Sequence, residues 1–151
     1  MKLAEALAER SDCQKRLEEI RDRLEQSARI QEGEQPAEDP GELLSETDRV
    51  FARLLELVSA INRTNSRTAF DAARTISDAI AERDVLGRRR DFLSRVAGSG
   101  DSRFDRYMKS ELRYIMTVPV GKLRADADQL GKRYRELDLR IQELNWKTEL
   151  I

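Results

Sequence analysis

Residues 120–151 read VGKLRADADQLGKRYRELDLRIQELNWKTELI, and this stretch decides the fold of the chain. Two rows of mostly apolar positions run through it, each repeating every seven residues, and the second row lies three residues after the first. This spacing predicts a long helix that keeps one stripe against a neighbouring helix. The two rows are Val120, Ala127, Tyr134, Ile141 and Thr148, and Leu123, Leu130, Leu137, Leu144 and Ile151.

Three further helices are predicted before it, over about 2–30, 40–64 and 76–97, with the last helix over about 119–147. The second helix should begin at Asp39-Pro40 and the third at Thr75, since these residue types cap and open helices well. Helix two has the broadest apolar face, which favours contact with two neighbours. We therefore predict one all-α domain over residues 1–151, an antiparallel four-helix bundle or coiled coil whose long first and last helices pair lengthwise.

Two segments do not fit a helical pattern, residues 66–74 and residues 98–118. The second contains Leu112, Tyr114, Met116 and Val118 in alternation, which is typical of an extended strand. A structureless loop of this length is uncommon in a compact domain. We therefore predict a small β-like appendage between helices three and four, in which this strand pairs with an irregular or strand-like piece near residues 68–70.

The composition limits the chemistry that the chain can perform. Charged residues make up 38% of its 151 residues, the formal net charge is −1, and there is no histidine and one cysteine, Cys13. The commonest general base and metal ligand is therefore missing, and an intrachain disulfide cannot form. No secretory signal and no apolar run long enough for a membrane span is recognised. We expect a cytoplasmic protein that is not an enzyme, with no cofactor, no catalytic residue and no metal site.

The apolar rows are the main candidate functional feature, because a thin core with few aromatic residues favours a homo-oligomer. Arginines on these rows need a partner in the core, and Asp84, Asp138 or Glu82 can supply a buried ion pair that fixes register or subunit pairing. Equally, the arginines can extend to the edge of the seam. The candidate interface or register residues are Leu123, Leu130, Tyr134, Leu137, Ile141, Leu144, Trp146, Arg10, Arg83 and Arg90.

Two other functions stay open. Carboxylates at helical spacing, Glu18, Glu19 and Asp22, match the all-carboxylate magnesium sites of helical pyrophosphohydrolases, although basic neighbours at three- and four-residue spacing also explain them as a solvated face. Arginines interleaved with aromatic residues over 83–113 fit a weak nucleic-acid binder, although acidic residues within this segment offset the positive field. The leading hypothesis remains an assembly or protein-interaction module. A second copy is its expected partner, a different protein partner stays open, and neither a membrane nor a nucleic acid is expected.

Several phrases of the sequence resemble one bacterial family of short helical proteins. They are INRTN at 61–65, AIAERD at 79–84 and LDLRIQELNWKTEL at 137–150, with QKRL at 14–17 and EGE at 32–34. Members are mostly described as a domain of unknown function, and some carry the name septicolysin. The resemblance implies a helical fold and a bacterial origin, with no catalytic residues to carry over. A pore-forming activity would require membrane-inserting hairpins or amphipathic spans, which the sequence does not offer.

Overall fold

The structure of the chain, a computed structural model, describes residues 1–99 and 115–151. It contains four helices: α1 (Leu3–Ser27), α2 (Pro40–Arg67), α3 (Ile76–Gly98) and α4 (Val120–Lys147). Each bound lies within three residues of the predicted one. No strand of a sheet is formed by the described residues, so the all-α fold class is confirmed.

The predicted start signals act at the ends of two helices. Asp39 precedes α2 and its Oδ1 accepts a hydrogen bond from the backbone nitrogen of Gly41 at 2.8 Å, while Pro40 occupies the first helical position. Thr75 and Asp78 form a reciprocal capping box on α3, in which Asp78 Oδ2 accepts from the Thr75 nitrogen at 2.8 Å. These bonds satisfy amide groups that have no partner within the helix, which is why both helices begin where the sequence predicts.

The end of α2 differs from the prediction. The polar segment at residues 62–65 was expected to close the helix, but the helix continues to Arg67, where Thr68 donates to the carbonyl of Thr64 at 2.9 Å. Thr64 donates its hydroxyl back to the carbonyl of Ala60 at 2.9 Å and is fully buried. Because the Thr64 hydroxyl donates to a carbonyl of the same helix, the backbone hydrogen bonds of the helix continue past it. Thr64 therefore does not end the helix.

Residues 68–75 form a turn. Phe70 donates to the carbonyl of Arg74 at 2.7 Å, and Asp71 Oδ1 accepts from the backbone nitrogens of Ala73 and Arg74 at 3.0 Å each. Of the two alternatives for this segment, the irregular one is therefore found. Of the predicted strand-like appendage, residues 100–114 lie outside the described residues, and Ile115–Thr117 form no strand.

The chain divides into two compact units, and the first comprises residues 1–69 and 143–151. Within unit 1, α1 and α2 pair in antiparallel orientation, with residues such as Leu3, Ile20, Leu57 and Ile61 buried. The lengthwise neighbour of α1 within this unit is α2, and the expected lengthwise pairing of α1 with α4 stays a prediction. The apolar period places a stripe on each helix but does not say which stripe it meets.

Three ion pairs join α1 to α2 and to Glu38, which lies just before α2. We call these three ion pairs the ladder. Arg53 Nε donates to Glu9 Oε1 at 2.7 Å, Arg16 Nη2 lies 2.6 Å from Glu46 Oε1, and Arg23 Nε donates to Glu38 Oε2 at 2.8 Å. Their α1 members repeat every seven residues, which keeps them along one edge of the helix pair.

The two ends of the described chain also meet in unit 1. Leu3 donates its backbone nitrogen to the carbonyl of Thr148 at 2.9 Å, and Leu150 donates to the carbonyl of Met1 at 2.9 Å. Lys2 Nζ lies 2.5 Å from Glu149 Oε1, and Lys2 and Glu149 form an isolated antiparallel bridge. The backbone bonds hold the residues after α4 beside the start of α1.

Unit 2 comprises residues 70–142 and holds α3 together with the larger part of α4. We call the contact between these helices the seam. Arg83 of α3 donates from Nη1 to Asp138 Oδ1 at 2.8 Å, and the guanidinium of Arg90 lies 5.3 Å from the ring centroid of Tyr134. A Cβ built on Gly87 would lie 3.2 Å from Tyr134 Cε2, so the missing side chain makes room for the ring. Residues with higher numbers on α3 contact residues with lower numbers on α4, so the two helices are antiparallel.

Candidate functional site

Most of the apolar interface residues proposed on α4 are covered by other residues of the same chain. Leu130, Leu137 and Ile141 are 7%, 8% and 1% exposed, and Leu123, Tyr134 and Leu144 are half-buried. Trp146 is the exception at 65% exposed. The α4 stripe is thus part of the chain's own core, and it offers little surface to a second molecule.

Two of the three proposed arginines find partners at the seam. Arg83 donates to both Asp84 and Asp138, two of the partners that the sequence predicted. Burial works to lower the pKa of Arg83, but the hydrogen bonds to these carboxylates outweigh it and raise the pKa above its usual value. Arg90 donates to Asp91 at 2.8 Å. Both arginines therefore contact α4 or carboxylate partners at the seam of unit 2.

Arg10 behaves differently from the other two. It is half-buried on α1, and its Nε group has no hydrogen-bond partner among the described residues. A buried donor without a partner costs free energy. The side chain carries no ion pair with a described residue, so no register role is assigned to it.

The carboxylates considered for a metal site are spread along an exposed face. Glu18 and Asp22 both lie against Arg21, the latter at 3.6 Å, and Glu19 lies 3.1 Å from Arg16. Within residues 1–99 and 115–151, no three His, Cys, Asp or Glu side chains come close enough together to hold a metal ion. These acids pair with their neighbours along the helix instead.

Unit 2 has one dense network of charged side chains around Arg74. Arg74 Nη2 lies 2.6 Å from Asp71 Oδ2, Nη1 bonds to Glu82, and the guanidinium lies 5.0 Å from the Phe70 ring centroid. The hydrogen bonds from the Arg74 side chain, and then that from the Ala73 backbone, lower the pKa of Asp71 to about 2. An adjoining cavity of about 260 Å³ is lined by arginines and glutamates together, so its charges largely cancel.

The basic segment considered for nucleic acid is only partly described. Arg88, Arg89 and Arg95 are exposed on α3, whereas Arg83 and Arg90 are engaged by aspartates. The remaining basic and aromatic residues of the proposed surface, from Arg103 to Tyr114, lie outside the described residues. The described part therefore presents three free arginines rather than a continuous basic groove.

Three exposed apolar side chains of unit 1 lie on α2, and we call them the outer row: Leu44, Phe51 and Leu55. Their exposed fractions are 55%, 55% and 69%, although each is a large apolar side chain. The opposite side of the same helix carries Leu43 and Leu57, which are buried. The sequence contained the signal, since the broad apolar face predicted two neighbours for this helix, but none of these residues was among the candidates.

The outer row has the geometry of a helix-packing stripe. Leu44 and Phe51 are seven residues apart and Leu55 follows four residues later, so all three lie on one face. Ser45, Ala52 and Ser59 run beside them at seven-residue spacing, and such small side chains let another helix approach closely. The arrangement can bind an apolar helix but carries no group suited to catalysis.

None of the helices formed by the described residues combines the length and hydropathy needed to cross a bilayer.

Comparisons with known proteins place the chain in a family. Residues 10–150 match a family of unknown function, DUF6847. A crystal structure of a functionally unknown conserved protein from Corynebacterium diphtheriae is similar at 46% identity and a TM-score of 0.95, covering 100% of this chain and 99% of that one. No curated protein matched. The resemblance to an uncharacterised bacterial family is confirmed, and the chain belongs to the family of unknown function DUF6847.

Proposed function

We propose that this chain is a non-enzymatic assembly module that forms homo-oligomers in the cytoplasm. The observation that carries the proposal is the outer row, in which Leu44, Phe51 and Leu55 are more than half exposed on a helix whose other face is in the core. Exposed apolar patches on the surface of a protein mark interaction sites. A second apolar helix surface is the complement that such a row fits.

The chemistry of the chain supports a role without catalysis. It has no histidine, and Cys13, its one cysteine, is half-buried. A chain with no potential intrachain disulfide suits a reducing compartment, which is the basis for proposing the cytoplasm. Glu18, Glu19 and Asp22, the acids that a carboxylate-metal enzyme would need, are engaged by arginines.

The test is the native mass, measured by light scattering on a sizing column over a range of protein concentrations. We expect a mass that is a multiple of 17.4 kDa and that survives high salt, because apolar contacts are not screened. The double variant Phe51→Ser and Leu55→Gln should raise the dissociation constant of the assembly at least about 100-fold, since each buried apolar side chain contributes about 1.5–3 kcal/mol.

A matched control for this variant is Leu139→Gln on α4. Leu139 is 66% exposed but is not part of the outer row, so its replacement should leave the native mass unchanged. A wild-type protein of 17.4 kDa at every concentration would overturn the proposed function.

A further inference from the structure

A row of charged residues runs along α2. The small residues Ser45, Ala52 and Ser59 lie between this row and the outer row. Glu42, Arg49, Glu56 and Arg63 follow one another at seven-residue spacing, and their charges alternate in sign. All four are exposed. Glu42, Arg49 and Arg63 make no ion pair with a described residue, and Glu56 lies 2.9 Å from Arg53 of the same helix. We call these four residues the charged row.

An alternating row of this kind is complementary to itself when two copies run antiparallel. If a two-fold axis passes α2 at the height of Ala52 and Arg53, Arg49 of each copy lies opposite Glu56 of the other, and Glu42 lies opposite Arg63. Every position of the charged row then meets the opposite sign. In a parallel pairing, a two-fold axis along the helices would instead bring the charged row of each copy against the apolar outer row of the other, which leaves its charges without partners.

The same axis also matches the outer row. Phe51 and Leu55 lie at equal distances on either side of Arg53 along the chain, so Phe51 of one copy packs against Leu55 of the other, and the reverse. This reciprocity is what a two-fold interface requires. Two independent patterns on one helix, one apolar and one charged, therefore share a single symmetry axis.

The residues between the two rows permit the contact. Ser45, Ala52 and Ser59 separate the outer row from the charged row and have short side chains. A close approach of the two helices brings the long arginine and glutamate side chains within reach of the other copy. The opposed dipoles of antiparallel helices also favour the arrangement.

We propose that the outer face of α2 binds the same face of a second copy of this chain, in antiparallel orientation, about a two-fold axis at the height of Ala52 and Arg53 along the helix. The proposal rests on the homo-oligomeric function above and specifies its interface. Apolar contacts of the outer row supply affinity, and the charged row selects orientation and register.

Single-cysteine cross-linking tests the geometry. In a Cys13→Ser background, Ala52→Cys places a thiol beside the axis, where the two copies differ by about 3 Å in height along the helix. Ser59→Cys lies on the same side of the helix, but its two copies differ by about 18 Å in height. With a short bifunctional thiol reagent, we expect covalent dimers from the first variant and few from the second.

The alternative outcomes are distinct. Equal cross-linking of both variants would mean a parallel pairing and would overturn the proposal. Wild-type protein that is multimeric by light scattering, but whose Ala52→Cys variant does not cross-link, would overturn this interface and leave the proposed function standing. A monomeric wild type would overturn both.

Charge exchange tests the role of the charged row. Glu42→Arg or Arg63→Glu alone should weaken the dimer about 3- to 10-fold at low salt, since each change creates two like-charge contacts in a symmetric pair. The double exchange should restore the wild-type dissociation constant, because the signs are again complementary. Double exchange that weakens the dimer further than either single change would contradict the register.

Discussion

The two helix pairs of this chain have the same antiparallel arrangement but fix their register in different ways. In unit 1, the ladder places Glu9, Arg16 and Arg23 of α1 opposite Arg53, Glu46 and Glu38 along a solvent-facing edge. In unit 2, Arg83 and Arg90 of α3 turn toward the seam, where they contact Asp138 and Tyr134 beside glycines 87 and 131.

The ladder selects a register through the order of its charges. A shift of α1 by one heptad would bring Glu9 toward Glu46, or Arg16 toward Arg53, so that three attractive pairs are replaced by one like-charge pair and one attractive pair. Exposed ion pairs contribute little stability each, and salt screens them. The ladder therefore discriminates between registers more than it stabilises the chosen one. The seam instead depends on shape, because only one alignment places a glycine under the Tyr134 ring.

The largest effect on the free energy of unfolding is expected from a substitution that disrupts the packing of Gly87 against Tyr134 in the seam. Gly87→Leu would force a side chain into the space of the Tyr134 ring, where a Cβ alone already lies 3.2 Å from Cε2. Overpacking of this kind costs about 1–3 kcal/mol of unfolding free energy. The control is Gly121→Leu at the start of α4, which has no neighbour within 4 Å of its Cβ. Chemical denaturation should show a loss for the first variant and none for the second.

The next largest effect is expected when the half-buried Arg83 loses one of its two carboxylate partners. Asp138→Asn leaves Arg83, whose side chain is 21% exposed, with Asp84 as its remaining carboxylate. A partly desolvated charge that loses a hydrogen-bonded partner costs about 1–3 kcal/mol. Asp84→Asn serves as the comparison, since Asp84 is 52% exposed and its loss can be replaced by water. Equal denaturation midpoints for the two variants would contradict a special role of Asp138.

The smallest effect concerns the ladder and appears in its pH dependence. Hydrogen bonds from Arg53 hold the pKa of Glu9 below its usual value, and those from Arg23 do the same for Glu38. A lowered pKa in the folded state contributes stability that is complete above the unfolded value of about 4.3 and is lost as the pH falls through the folded value.

Glu9→Gln isolates one of these contributions. The variant should unfold slightly more easily than wild type near neutral pH, and the difference should disappear as the pH falls through the lowered pKa of Glu9, because the wild-type carboxyl is then also protonated. Thermal melts between pH 7 and pH 3 measure it, with 1 M salt expected to reduce the difference. A difference that persists in acid would mean that Glu9 acts through packing rather than charge.

Much of this fold was predictable because its signals are local. The apolar period gave four helices, and the capping groups of Asp39 and Thr75 gave two of their starts to the residue. Among the predicted partners of Arg83, Asp84 and Asp138 are both found. The end of α2 was missed because Thr64 bonds within the helix, a choice that depends on its burial.

The candidate surface was predicted less well than the fold. The regular heptads of α4 drew attention to Leu130, Leu137 and Ile141, which are buried within the chain. The outer row of α2 is less regular in sequence, and Asp48 interrupts it. Periodicity reports how apolar a face is, whereas availability for binding depends on what the rest of the chain leaves uncovered.

The sequence by itself determined the helices, their starts, the absence of histidine chemistry and the alternating charges of Glu42, Arg49, Glu56 and Arg63, because these follow from residue type and spacing along one segment. Tertiary structure alone decided that α1 pairs with α2, that the α4 stripe enters the core, and that Leu44, Phe51 and Leu55 remain exposed. The physical reason is that a helix presents its stripe without specifying a neighbour. Which stripe is covered depends on the packing of segments that are distant in the chain.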